Sequence, residues 1–161
     1  MKKISVWLSS LALAFSPQGL AQVDHAESRQ AIANLLASYG YLYDEGHMDE
    51  YFALFADDAV LVDAVPGKAE ASLTEFSDFL LPRVEHFAKN DIQRRHVLAP
   101  VRIESLDENE ASGQVYLQLY SIAQGGPPQL LLTGVYHFSL RKSDDGWKIA
   151  RWRIAPDSRI E

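Results

Sequence analysis

The sequence predicts an α+β fold: a cone-shaped α+β barrel with N-terminal helices packed on a curved, mainly antiparallel sheet that encloses a pocket. Three observations predict it. Apolar residues recur at three-and-four spacing in three stretches between residues 27 and 89. They run in alternating strand-like segments from 94 to 155, and short polar or glycine-containing breaks separate those segments. Helices first and a meander afterwards give segregated layers rather than alternating βα units.

The first 21 residues read as a targeting segment outside that fold. Lys2 and Lys3 form a positive start, Ile4 to Phe15 an apolar run of 12 residues, and "SPQGLA" a break with small residues before a cut expected after Ala21. The run is short for a transmembrane helix, and no stop-transfer pattern follows it. The expectation is a signal peptide over 1–21 and one domain over 22–161, periplasmic or secreted. A chain of 161 residues suits a single core. No cysteine is present, which excludes disulfide staples and thiol chemistry. The formal net charge is −7, and −9 without Lys2 and Lys3. So acidic a chain offers no basic footprint to nucleic acid or anionic membranes, which leaves a small molecule or another protein as partner.

The first helix is expected from Glu27 to about Glu45, with Ile32, Leu35, Leu36, Tyr39, Leu42 and Tyr43 as its apolar positions and Gly46 as its C-cap. A short helix over Met48–Phe55 and a strand in "ADDAVLVDAV" follow. A third helix spans about Ser72 to Lys89, with Thr74 as a possible cap and Pro82 as a kink or division. Four strands complete the sheet: "RRHVLAPVRIESL", "ASGQVYLQLYSIA", "QLLLTGVYHFSLRK" and "WKIARWRIA". The turns are "DENE", "GGPP" and "SDDG", for a sheet of four or five strands. The open end of such a sheet is where small-molecule sites usually lie.

On the first helix, Ala33, Ala37 and Gly40 form a stripe of small residues beside the apolar face. Asp44 continues that stripe, while Glu45 points to the solvated side. A carboxylate in the last turn opposes the helix dipole, so an enclosed Asp44 needs a partner. His96 is the best candidate. Strand alternation sets His96, Leu98, Pro100 and Arg102 on one face and Val97, Ala99, Val101 and Ile103 on the other. A carboxylate on one imidazole nitrogen fixes the tautomer and frees the other nitrogen as a base. The same spacing fits a core histidine held by a backbone carbonyl. No HxH or HExxH spacing supports a metal site, and no phosphate loop, dinucleotide fingerprint or nucleophile elbow is present. No cofactor is expected.

Several further residues are candidates for contact with a substrate. The hydroxyls of Tyr43, Tyr116 and Tyr136 suit a substrate oxygen, and Tyr39 and Trp152 suit an apolar surface. His137 alternates with Tyr136 and Phe138, and spacing alone does not say which face lines the pocket. Arg151 and Arg153, read as sharing a face with Trp147, suit an anionic group if they point inward.

"YDEGHMDEYFALFADDAVL", "RRHVLAPVRIE" and "DGWKIARWRI" together resemble the SnoaL-like branch of the nuclear transport factor 2-like (NTF2-like) superfamily. The nearest subgroup is that of scytalone dehydratase and hexachlorocyclohexane dehydrochlorinase, and the likeness covers nearly all of residues 27–155. The resemblance implies a catalytic Asp44–His96 dyad in which the histidine removes a substrate proton and a leaving group departs. Tyr43 matches the Tyr-Asp pair of the dehydratase. It also implies a homodimer or homotrimer. Asp63 stands where the dehydratase has a substrate-polarising tyrosine, and Pro100 where relatives often have asparagine. The functions implied are a cofactor-independent lyase or isomerase or, alternatively, a non-catalytic carrier of the same fold.

Overall fold

The structure is a computed structural model that describes residues 18–157, with side chains from His25 onward. The expected export segment lies outside the described residues apart from the backbone of its last four. Helix α1 runs Gln18–Glu45, α2 Met48–Phe52 and α3 Leu73–Lys89. The strands are β1 (Phe55–Val65), β2 (Lys68–Ser72), β3 (Ile92–Leu106), β4 (Glu110–Ala123), β5 (Gln129–Ser143) and β6 (Gly146–Pro156). They form one open six-stranded sheet in the order β2-β1-β6-β5-β4-β3. All neighbours are antiparallel except β1 and β6, which run parallel.

The helices cover the concave face. Ile32, Leu36 and Tyr39 of α1 meet Trp152, Ile149 and Leu61 of the central strands, all 3 % exposed or less. Each such side chain contributes about 1.5–3 kcal/mol by leaving water. Tyr39 stacks on Trp152 with ring centroids 4.5 Å apart, so one end of the core is aromatic. Gly40 brings α1 close to the sheet, because a Cβ there would lie 3.3 Å from the His96 Cβ. Of the small-residue stripe only Gly40 is a point of close approach, since Ala33 and Ala37 are exposed.

Several elements depart from expectation for identifiable reasons. Residues 18–26 contain no proline, so nothing forces a later start for α1. Phe55, expected at the end of the second helix, opens β1 instead, where it pairs with Ile149. Strand β2 lacked an apolar run to announce it. The cap of α3 is Ser72 rather than Thr74. Its Oγ accepts the Glu75 N–H at 3.3 Å while Glu75 accepts the Ser72 N–H at 2.8 Å, a capping box in "SLTE". Lys68 ion-pairs with Glu75, and with the Ser72 bonds this holds the Glu75 carboxyl at about 2. Pro82 does not divide α3, which continues unbroken to Lys89.

Two bulges invert the expected faces. In β3, Leu98 pairs with Leu117 but Val101 with Val115, so one extra residue lies at Ala99–Pro100. His96 and Leu98 therefore share the inner face with Val101 and Ile103. β3 is an edge strand, where a proline removes no ladder bond that the sheet needs. In β6, Ile149 pairs with Leu140 and Arg151 with Ser139, with Ala150 as the extra residue. Trp147 and Ile149 therefore share the inner face with Trp152, not with Arg151 and Arg153.

Candidate functional site

The last turn of α1 is fastened to β3 by three hydrogen bonds. Asp44 Oδ2 accepts the His96 backbone N–H at 2.6 Å, and Oδ1 lies 2.7 Å from His96 Nδ1. The Gln93 side-chain amide donates to the Asp44 carbonyl at 2.9 Å, satisfying one of the end carbonyls of the helix. These bonds outweigh the few tenths of a kcal/mol that the dipole exacts from a carboxylate in this turn. The Asp44 and His96 side chains are 5 % and 6 % exposed, so the pair is largely dry although the backbone around it is not.

Because the Asp44 carboxylate accepts a hydrogen bond from Nδ1–H, the neutral ring keeps its free lone pair on Nε2. His96 borders a cavity of about 960 Å³ between helices and sheet, and Asp44 stands behind it, outside the lining. Tyr43 meets the imidazole edge-on at 4.9 Å and Tyr39 at 6.2 Å. Tyr39, Tyr43, Tyr51 and Tyr136 all reach the cavity. Burial pushes the Tyr39, Tyr51 and Tyr136 hydroxyls well above the usual phenol range. It raises Tyr43 as well, against the opposing charges of Arg94 and Arg83. All four stay protonated, and Tyr39 shares side-chain hydrogen bonds with Tyr51 and Tyr136.

The expected site residues divide. Asp44, His96, Tyr43, Tyr39 and Tyr136 come together. Tyr116 does not: it is 58 % exposed, because Val115 and Leu117 are the inward neighbours on β4. His137 pairs across to Gln114 and Arg153 on the outer face, while Tyr136 and Phe138 point in. Trp152 is fully buried behind Tyr39 and Tyr136 and does not line the cavity. His137 therefore lies apart from His96 and Asp44, which rules out a metal site built from the three. Among the described residues no three acidic or histidine side chains gather as metal ligands. Asp63 lines the cavity at its rim, paired with Arg153 at 3.3 Å.

Sequence reasoning missed Arg94 and Arg83. Arg94 is two residues before His96 on the same strand face, a period-2 signal that could have found it. Its guanidinium lies 4.6 Å over the Phe87 ring, and that of Arg83 lies 4.4 Å over Phe79. Burial lowers the Arg94 pKa from its ordinary value, with Tyr43 and Asp44 pulling it back.

With fold and site in view, the chain belongs to the SnoaL-like domain family, whose model matches residues 24–153. Solved structures of similar shape include an NTF2-like protein with a cystatin-like fold from Novosphingobium aromaticivorans. It is 19 % identical, covers 91 % of this chain and 94 % of its own, and has a TM-score of 0.75. A candidate scytalone dehydratase from the same organism is 20 % identical over 87 % and 93 % of the two chains, with a TM-score of 0.70. ActVI-ORFA of Streptomyces coelicolor is 16 % identical over 80 % and 96 %, with a TM-score of 0.66. No curated protein sequence matches the chain. At these identities the structures establish the fold alone.

Proposed function

We infer that this SnoaL-like protein is a cofactor-independent lyase or isomerase acting on a small, largely apolar molecule with an acidic C–H beside a carbonyl. The observation that carries this reading is the 2.7 Å contact from Asp44 to His96 Nδ1, with the imidazole in the wall of an aromatic cavity. His96 Nε2 takes the proton, and the C–H electron pair moves into a new C=C bond or an enolate. In an elimination the leaving group departs with its bonding pair and is protonated by the imidazolium. Asp44 orients the ring and balances its charge while the proton is held. Tyr43 is the neutral donor for the developing oxyanion, while Tyr39 and Tyr136, which hydrogen-bond each other, line the cavity beside it. A candidate dehydratase among the structural neighbours is consistent with this chemistry. In this reading the protein acts after export, on the support of residues 1–21 alone.

The test begins with a mass-spectrometric search of the purified protein for a bound small molecule, which is then assayed as substrate together with its analogues. His96→Gln should lower kcat by about 10²–10⁴-fold, the usual share of a general base, with binding retained. Unchanged turnover in a folded His96→Gln protein would exclude His96 as the base. Binding without turnover in the wild type would leave the carrier function.

A further inference from the structure

The cavity is basic in an acidic protein. Its lining carries Lys68, Arg83, Arg94 and Arg153 against one acid, Asp63, while the chain as a whole has a net charge of −7. Two of the cations already have partners: Lys68 pairs with Glu75, and Arg153 with Asp63. Arg83 and Arg94 have no carboxylate within ion-pair distance among the described residues. The Asp44 carboxylate has both oxygens committed to His96 and balances Arg94 only from a distance.

Arg94 is the more telling of the two. Its Nε is buried without a hydrogen-bond partner. A desolvated guanidinium donor with nothing to donate to is costly, and native structures seldom keep one without a use. Phe87 covers one face of the group, as Phe79 covers that of Arg83, which leaves the donor edges for a planar acceptor. The period of β3 sets Arg94 and His96 on one inner face, and Tyr43 stands beside both.

We propose that Arg94, assisted by Arg83, binds an anionic group of the substrate, so that the natural ligand is an apolar carboxylic acid or a like planar anion. The proposal rests on the reading of the cavity as the substrate site and adds the ligand's charge class. A carboxylate held in the Arg94 fork is fixed two residues along the strand from the base. Its apolar body then lies against Tyr39, Tyr136 and the leucines of β4 and β5.

The experiment compares 2-naphthoate with 2-naphthamide, which match in shape and differ in charge, by calorimetry on the full-length protein. A charge-assisted bidentate contact predicts that naphthoate binds about 10- to 100-fold more tightly than the amide, and that added salt weakens naphthoate alone. Arg94→Gln should bring the two to near parity, and Arg83→Gln should narrow the gap part of the way. Equal binding of the pair, no naphthoate binding at millimolar concentration, or a preference that survives in folded Arg94→Gln would overturn the proposal. The wild-type ratio and its salt dependence decide the matter even if the variant fails to fold. His96→Gln separates the two readings. It should keep the naphthoate preference, so loss of that preference with turnover sensitive to His96 refutes the anion site alone. A retained preference with turnover indifferent to His96 refutes the base alone.

Discussion

Replacing Asp44 by asparagine keeps the shape of the side chain and changes the tautomer of His96. Asparagine has one acceptor and one donor where aspartate has two acceptors. Two donors face the position now, the His96 backbone N–H at 2.6 Å and ring Nδ1 at 2.7 Å. The backbone N–H is a fixed donor. If the oxygen of the new amide served the ring instead, its NH₂ would confront that N–H inside a pair only 5–6 % exposed. Leaving a buried N–H unmet costs about 1–3 kcal/mol. The oxygen should therefore stay on the backbone, and the NH₂ should turn Nδ1 into an acceptor, moving the ring proton to Nε2. At that cost the catalytic tautomer falls about 5- to 150-fold in population, since about 1.4 kcal/mol is a factor of ten. Loss of the carboxylate that balances the imidazolium adds to this, for a drop in turnover of about 10²–10⁴-fold. Stability should fall by only about 1–2 kcal/mol, the difference between a charged and a neutral acceptor. Two-bond ¹H–¹⁵N correlation of the histidine rings reports the tautomer directly, without a substrate. A folded D44N protein whose His96 still carries its proton on Nδ1 would refute the reasoning.

The buried phenols give an alkaline limit. A raised folded-state pKa contributes stability that is whole below the unfolded value, near 10, and is lost as pH climbs above it. Tyr39, Tyr43, Tyr51 and Tyr136 should ionise only as the protein unfolds, so their phenolate absorbance should rise together with loss of circular dichroism. All seven tyrosines titrating near pH 10 in protein with native circular dichroism would contradict the burial argument. At the acid end, Glu75, held at about 2 by Lys68 and the α3 cap, should contribute stability above its unfolded value that fades as pH falls towards 2. Gly113→Ala should destabilise by about 3 kcal/mol or more, because its Cβ would meet the Arg102 carbonyl at 2.2 Å and Phe138 at 2.7 Å. A melting temperature unchanged in that variant would mean that β3 and β4 can separate there freely.

Local rules carry much of this protein. Three-and-four spacing identifies α1 and its inward residues, and the alternating runs locate four strands with their turns. Asp44 follows Gly40 by one helical turn on the same face and is enclosed with it. Ala33 and Ala37, earlier in the same stripe, stay exposed, so the helix period identifies the face but not how far the sheet covers it. His96 follows as its partner once the opposing strand is known to be covered. Beyond that, local pattern fails wherever a long-range pairing intervenes. β1 lies parallel to β6 across almost a hundred residues, and nothing in either segment encodes that adjacency. The extra residues at Pro100 and Ala150 reverse the faces of Val101, Ile103 and Trp147, since a strand's period of two does not survive an insertion. Tyr116 and His137 were left on the outer face, and Trp152 in the core, by which side of the sheet the helices cover. Arg83 and Arg94 acquire meaning only when α3 and β3 meet at the cavity. The chain's acidity concealed its basic pocket, because composition sums charge over the whole molecule, while folding decides which few charges face the hollow.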